Sequence, residues 1–209
     1  GMLCGLVGNF EGHLRQISDV LGKAKGASTF ATCNALVLSE RTLFIADTYV
    51  NEDPTSQQLA EIAAMTVAEV QRFGIPPKVA FLSHSSFGSS SSASAKKMRL
   101  ARDLFAAAKP DVECDGEMHG DAAMSDDIRK AYLPGSTLHG SANVLICPNL
   151  DSANILFNVL KMTSSEGVTV GPVLLGSSAP VHILNPSSTV RRYVNMIALA
   201  AANAGAGKA

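Results

Sequence analysis

A hydroxyl-rich segment follows the apolar run Val79 to Leu82 and leads into a helical pattern. The segment, Ser83 to Arg99, reads Ser-His-Ser-Ser-Phe-Gly-Ser-Ser-Ser-Ser-Ala-Ser-Ala-Lys-Lys-Met-Arg. A strand, a small-residue loop and a helix N-terminus present backbone amides near the positive end of a helix dipole, which attracts phosphate or carboxylate. The predicted anion-binding residues are Ser83, His84, Ser85, Ser89, Ser90, Lys97 and Arg99. Neither Walker nor GxGxxG spacing is present, so a plain serine-rich helix cap is an equal alternative.

Acidic and imidazole groups follow a second apolar stretch. Val112 to Asp115 is predicted to be a short strand, and Gly116-Glu117-Met118-His119-Gly120-Asp121 comes directly after it. His119 between two acidic residues could form an acid–base pair or a metal cluster, but a hydrogen-bonding role is favoured. We therefore predict that Asp115, His119 and Asp121 are polar residues of a cleft.

The cysteines and the charge balance exclude several kinds of protein. Cys4, Cys33, Cys114 and Cys147 form no CxxC pair and have no ligand-like spacing with the five histidines, so neither a metal site nor a disulfide framework is predicted. With 17 basic and 18 acidic residues the net charge is −1, which gives no charge excess for nucleic acid or an anionic membrane. The apolar runs are too short to span a bilayer. We expect a cytoplasmic protein.

The order of the elements predicts the fold class. An apolar segment stands at the very start, after Gly1-Met2, and suggests a fragment of something longer. Strands and helices then alternate, which indicates an α/β fold with ligands outside the carboxyl ends of the strands. Predicted strands are 35–38, 42–46, 79–82, 112–115, 144–147 and 180–184, the first two as a hairpin; predicted helices are 11–25, 55–73, 95–108, 126–132, 149–162 and 189–203. Residues 83–94, 115–121 and 185–192 would then share one cleft.

Motifs along nearly the whole chain resemble one family. They include Val50-Asn51, Lys97-Met98-Arg99, Asp121-Ala122-Ala123, Pro148-Asn149-Leu150 and Gly171-Pro172-Val173-Leu174. In this order they resemble the phosphate acetyltransferase and butyryltransferase family. The stretches 83–90, 115–121 and 189–196 are most similar to the C-terminal domain of the large bacterial NADP-dependent malic enzymes.

The resemblance implies an architecture. It is the two-lobed α/β fold that phosphotransacetylases share with isocitrate and isopropylmalate dehydrogenases. One lobe would consist of residues 1–77 and 178–209, with its N-terminal part missing. The middle lobe, residues 78–177, would form the dimer.

The resemblance also locates the chemistry, and there the chain departs from the family. Active members carry a serine–arginine pair after the last strand and an aspartate on the next helix, whereas this chain has Asn185, Pro186 and Arg192. Acyl transfer to phosphate needs a base and cations, and a proline has neither charge nor amide hydrogen. No residue is therefore predicted to be catalytic. Arg191 and Arg192 could supply charge from a shifted place, and Arg15 stands where the family has an arginine.

Two functions from different classes follow. In the first, the chain is the regulatory and oligomerising domain of a malic enzyme and binds acetyl-CoA as an effector. This domain would hold no cofactor, and NADP with a divalent metal would belong to a catalytic domain in the same chain. In the alternative, it is an active phosphate acetyltransferase or butyryltransferase that moves an acyl group between CoA and phosphate. A purely structural dimer module, which would not bind CoA, is a weaker third reading.

Overall fold

Strands and helices alternate through the computed structural model, which describes residues 1–164, 168–186 and 188–206. The strands are β1 (Met2–Cys4), β2 (Ala31–Val37), β3 (Thr42–Ala46), β4 (Lys78–Leu82), β5 (Glu113–Met118), β6 (Val144–Ile146), β7 (Val168–Leu175) and β8 (Val181–Ile183). The helices are α1 (Phe10–Val20), α2 (Ser56–Arg72), α3 (Ala93–Ala108), α4 (Gly120–Met124), α5 (Asp126–Tyr132), α6 (Leu150–Thr163) and α7 (Val190–Ala206). The predicted α/β class is confirmed.

A six-stranded mixed sheet forms the centre of the fold. Its strand order is β5-β4-β6-β3-β2-β7, and the first four strands are parallel. β2 is antiparallel to both β3 and β7, so the predicted hairpin is confirmed, with Ala35 opposite Phe44. The four parallel strands all end at one edge, where the loops after β3, β4, β5 and β6 meet.

A second sheet joins the two ends of the chain. β1 and β8 pair in parallel, with Met2 opposite Val181 and Cys4 opposite Ile183. The segment that follows β8 therefore leaves a different sheet from the one that carries the serine loop. The six-stranded sheet takes β2 and β3 from residues 1–77 and four strands from residues 78–177. The lobe boundaries at residues 77 and 177 remain a prediction.

Helices cover both faces of the large sheet. On one face, Ile62 of α2 and Phe105 of α3 are fully buried with Phe44 and Phe81 of the strands. On the other face, Phe157 of α6 packs with residues of β4, β5 and β6. Helix α2 begins with a capping box, in which the Thr55 hydroxyl and the Gln58 side chain bond each other's backbone amides. Both layers hold the strand ends in place.

Several boundaries differ from the sequence predictions, and β2 begins at Ala31 instead of residue 35. The strand predicted at 112–115 runs from Glu113 to Met118, and α4 occupies residues predicted as a polar connection. The helix predicted to reach residue 25 ends at Val20, because Gly22 adopts a positive φ of 72°, which a right-handed helix cannot contain. Among the described residues, no helix is long and apolar enough to cross a membrane.

Candidate functional site

A buried glutamate fastens the serine loop to the end of β5. The Glu117 carboxylate accepts hydrogen bonds from Ser85 Oγ at 2.7 Å and from the Gly88 amide at 2.9 Å. Arg99 of α3 donates to both carboxylate oxygens, each at 2.9 Å. The Glu117 side chain is 1% exposed, whereas that of Arg99 is 36% exposed. Glu117 therefore joins strand, loop and helix through one charge-assisted network.

These contacts set the ionisation of Glu117. Burial alone would raise its pKa, but the hydrogen bonds from Arg99, Ser85 and the Gly88 amide outweigh burial and lower the pKa to about 2. An unfolded glutamate has a pKa of about 4.3. Because the folded value is the lower one, this carboxylate contributes stability that is complete above about pH 4.3 and is lost as the pH falls towards 2.

We expect Glu117→Gln to lower the free energy of unfolding by about 3 kcal/mol at pH 7, the energy equivalent of the pKa difference. The difference from wild type should shrink as the pH falls through 4 to 2. Urea denaturation between pH 2 and 7 measures both quantities. Glu113→Gln is the matched control on the same strand: its pairs with Lys78 and His139 are much more exposed than the Glu117–Arg99 pair, so its cost should stay below about 1 kcal/mol. Equal losses in the two variants would contradict this assignment.

The serine loop satisfies many of its own backbone amides. The Ser85 hydroxyl accepts from the Ser90 amide at 3.0 Å, and the Ser89 hydroxyl accepts from the Ser86 amide at 3.0 Å. Ser83 Oγ accepts from the Ser85 amide, and Ser92 caps α3 by accepting from the Ala95 amide. The prediction that a serine between 89 and 94 caps this helix is confirmed. These amides are engaged within the loop, as the plain helix-cap alternative expects.

The two predicted cations of the loop also have protein partners. Lys97 Nζ donates to the Pro148 carbonyl at 2.9 Å and forms an ion pair with Asp53. Arg99 is held by Glu117. A ligand anion here would have to compete with Asp53 for Lys97 and with Glu117 for Arg99.

The predicted cleft residues hold loops together. His119 Nε2 lies 2.7 Å from the His84 carbonyl oxygen, and His84 Nε2 lies 3.3 Å from Ser92 Oγ. Asp115 is buried in β5 and accepts from Ser136 Oγ at 2.5 Å, while Asp121 accepts from the Ala122 amide at 2.7 Å. In the described ranges, no group of three or more histidine, cysteine, aspartate or glutamate residues could hold a metal ion.

Arg192 lies at a second polar site, on β2 and β7. Its guanidinium donates to the Gly171 carbonyl and, at 3.2 Å, to Asn34 Oδ1. Asn34 Nδ2 donates to Thr48 Oγ1 at 2.6 Å, which links this site to the loop after β3. Burial lowers the pKa of Arg192. Both acceptors are neutral, so the half-buried positive charge lies among uncharged oxygens.

Asp47 shapes the loop beside Arg192. Its buried carboxylate accepts from Thr32 Oγ1 at 2.7 Å, from the Asn51 amide at 2.9 Å and from Asn51 Nδ2 at 2.6 Å. The same carboxylate accepts the Tyr49 amide at 3.1 Å. Asp47 is therefore an organiser of this loop. Sequence reasoning missed Asn34 and Thr48, which are buried polar residues in or beside strands and give no motif signal.

The structure separates the predicted site residues into two groups. One contains the serine loop, Arg99 and His119 at β4 and β5, and the other contains Arg192 at β2 and β7. Two strands, β6 and β3, lie between β4 and β2, which corresponds to about 14 Å at the usual strand spacing. Asn185, which follows β8, accepts from Ser188 Oγ at 3.0 Å. Only an elongated ligand could contact both groups.

The remaining two predicted cations, Arg191 and Arg15, are exposed at the protein surface. Arg191 is exposed on the first turn of α7. Arg15 of α1 lines a shallow pocket of about 330 Å³ with Lys23, Phe30 and Val50. Among the described residues, Arg192 is therefore the one predicted cation that is half-buried and bonded only to neutral acceptors, whereas Lys97 and Arg99 also pair with carboxylates.

Comparison with known proteins gives a consistent set of relatives. The family described as phosphate acetyl/butaryl transferase matches residues 1–201. An NADP-dependent malic enzyme of Salmonella typhimurium is 54% identical over 203 residues, which are 97% of this chain and 27% of that protein. A phosphate acetyltransferase of Haemophilus influenzae is 33% identical over 204 residues, 98% of this chain and 29% of that protein. The chain thus spans little more than a quarter of the length of these relatives.

A solved structure supports the same fold. A phosphotransacetylase from Streptococcus pyogenes has a TM-score of 0.90 and is 29% identical, with 100% of this chain and 63% of that chain covered.

Proposed function

Because the chain belongs to the phosphate acetyl/butaryl transferase family, we propose that it is the regulatory and oligomerising domain of an NADP-dependent malic enzyme and that it binds acetyl-CoA as an effector. The identity to malic enzymes, 46–54%, exceeds the 31–33% identity to phosphate acetyltransferases. Malate chemistry, NADP and a divalent metal would belong to a catalytic domain elsewhere in the same cytoplasmic polypeptide.

The observation that carries the proposal is the bonding of Arg192. In the family pattern this position is an aspartate, a carboxylate that can act as a base. Here a guanidinium occupies it and donates to the Gly171 carbonyl and to Asn34. A guanidinium stays protonated and cannot accept a proton at pH 7. Pro186, at the position of the family's arginine, supplies no cation.

The same features favour binding without turnover. An elongated acyl-CoA could reach from the serine loop to Arg192, across the loops that follow β3 and β6. No carboxylate of the described residues forms an ion pair with Arg192, so its positive charge suits an anionic ligand. The alternative, an active phosphate acyltransferase, needs a base and a paired arginine that this chain lacks at the family positions.

Two measurements on this chain test the function. Calorimetry should detect acetyl-CoA binding, and an assay of acetyl-CoA formation from acetyl phosphate and CoA should detect no transfer above the uncatalysed rate. Turnover in the usual enzymatic range, roughly 1 to 1000 per second, would support the acyltransferase instead. Absence of both binding and turnover would support the purely structural module.

An apolar stripe on α6 supports the proposed oligomer. Ile155, Val159 and Met162 are 62%, 54% and 78% exposed and share one helix face. Light scattering at micromolar concentration should show a dimer or larger, and Ile155→Lys with Val159→Lys should yield monomers, because buried like charges oppose association. Lys130→Ala, on α5, is the control. A monomeric wild-type chain would contradict the oligomer.

A further inference from the structure

A chain of hydrogen bonds connects Arg192 to the buried carboxylate of Asp47. Thr32 Oγ1 lies 2.7 Å from Asp47 Oδ1 and 3.2 Å from Thr48 Oγ1. Asn34 Nδ2 lies 2.6 Å from Thr48 Oγ1, and Asn34 Oδ1 lies 3.2 Å from Arg192 Nη2. Thr32, Asn34 and Thr48 are fully buried, so their polar groups depend on one another for hydrogen bonds.

The two ends of this chain fix the direction of each hydrogen bond in it. A carboxylate can only accept a hydrogen bond and a guanidinium can only donate one. The Thr32 hydroxyl therefore donates to Asp47, and in the bond between the two hydroxyls Thr48 is the donor. Thr48 Oγ1 then accepts from Asn34 Nδ2, while Asn34 Oδ1 accepts from Arg192. Position 34 thus needs a donor and an acceptor together, which an amide supplies and a carboxylate does not.

The backbone of β2 and β7 is shaped around Asn34. The pairing of these strands shifts its register between Cys33 and Ala35, and an irregularity of this kind re-aims the side chain that it contains. Gly171 of β7 leaves room for the amide, because a side chain there would place its Cβ 2.6 Å from Asn34 Oδ1. The carbonyl of the same glycine accepts from Arg192 Nε. Both strands therefore direct neutral oxygens at the guanidinium.

Asn34 holds Arg192 without neutralising its charge. Arg192 Nη1 has no hydrogen-bond partner among the described residues and is not enclosed by them, which leaves it as the donor open to a ligand. We infer that Asn34 is the positioning and specificity-determining residue of the Arg192 site: its amide aims the guanidinium and keeps the positive charge available to a phosphate group. The inference rests on the proposed function, in which acetyl-CoA supplies that phosphate.

Pyrophosphate probes the anion alone, and acetyl-CoA probes the whole effector. The ¹⁵N–¹H signal of Arg192 Nε, identified by its loss in Arg192→Gln, should shift saturably when the wild-type chain is titrated with either. In Asn34→Asp the signal should remain, because the carboxylate still accepts from Arg192, but it should not shift, because the charge is now paired. Calorimetry should show acetyl-CoA binding weakened at least about tenfold, the equivalent of one charge-assisted hydrogen bond.

Two further variants separate charge from structure. Asn143→Asp makes the same charge change just before β6, where both atoms of the amide are also bonded, and should bind acetyl-CoA like wild type. Asn34→Leu keeps the Arg192 charge but leaves Arg192 Nη2 and Thr48 Oγ1 without this partner. It should unfold at a lower temperature than Asn34→Asp and yet bind acetyl-CoA more tightly. An asparagine with a purely structural role predicts the reverse, because affinity would then follow stability.

The outcomes distinguish this inference from the proposed function. An Arg192 signal that pyrophosphate does not shift in the wild type would overturn the inference, and so would equal acetyl-CoA affinities of wild type and Asn34→Asp. If the effector proposal alone is wrong, acetyl-CoA will not bind the wild type, but pyrophosphate will still shift Arg192 there and not in Asn34→Asp. That result would support the role of Asn34 without the effector.

Discussion

The combined change Asn185→Ser, Pro186→Arg and Arg192→Asp is expected to produce acetyl transfer at least about 100-fold above any of the single changes. A general base and an oxyanion-stabilising group each contribute roughly 10² to 10⁴ in rate when they act together. A single replacement restores one group while the others are still missing, and groups that act as a unit are not additive.

The structure explains why Arg192→Asp alone should gain little. Removal of the guanidinium leaves the Gly171 carbonyl and Asn34 Oδ1 without its hydrogen bonds. The new carboxylate would lie among these oxygens, with no arginine at position 186 to offset its charge. The single variant should therefore be inactive and less stable than wild type.

Acetyl-CoA formation from acetyl phosphate, followed for all four variants and wild type, measures the gain. Thermal unfolding of each protein provides the control for misfolding. Substantial activity in a folded Arg192→Asp single variant, or none in a folded triple variant, would show that the lost chemistry lies elsewhere.

The main elements of the fold could be predicted from periodicity and caps. Thr55, the hairpin at residues 35–46 and the helix after Ser92 appear in the structure close to where the sequence places them. The end of β5 could not be predicted in this way. The sequence predicts that the strand ends at Asp115, but in the structure it continues to Met118, and the buried Glu117 is satisfied by a hydroxyl, an amide and an arginine. Long-range partners decided the conformation there.

The candidate site was predictable only in part, for a topological reason. The sequence rule that ligands bind at the carboxyl ends of strands treats all strands as one sheet. Because β8 pairs with β1 instead, Arg192 approaches the large sheet beside β2 and β7, at least three strand spacings from the serine loop. Asn34 and Thr48 define the surroundings of Arg192, but each is a single polar residue that forms no sequence motif. Their contacts join distant parts of the chain: Asn34 and Thr48 are 14 positions apart, and Asn34 and Arg192 are 158 positions apart.

Loss of the Arg192 charge is expected to weaken acetyl-CoA binding about 10- to 150-fold, the equivalent of one charge-assisted hydrogen bond of about 1.5 to 3 kcal/mol. Arg192→Gln is the suitable change, because the amide can still donate a hydrogen bond towards Gly171 or Asn34 while the positive charge is removed. Arg191→Ala removes an exposed charge one residue away and should have a smaller effect, since exposed charges are screened.

Calorimetric titrations with acetyl-CoA at low and high salt distinguish charge from shape. The affinity of the wild type for acetyl-CoA should fall as the salt concentration rises. This fall should be smaller for Arg192→Gln, because the variant lacks one cation that could bind a phosphate or a carbonyl group of the ligand. Lys130→Ala is the control, because Lys130 is an exposed residue of α5 that pairs with Asp126 and lies outside both polar groups. By contrast, if Ser89→Pro, which deletes a serine-loop amide, weakened binding while Arg192→Gln did not, the effector would bind at the serine loop alone. Equal affinities in all five proteins would place acetyl-CoA outside this cleft, because a ligand anion held by a half-buried guanidinium cannot be indifferent to its charge.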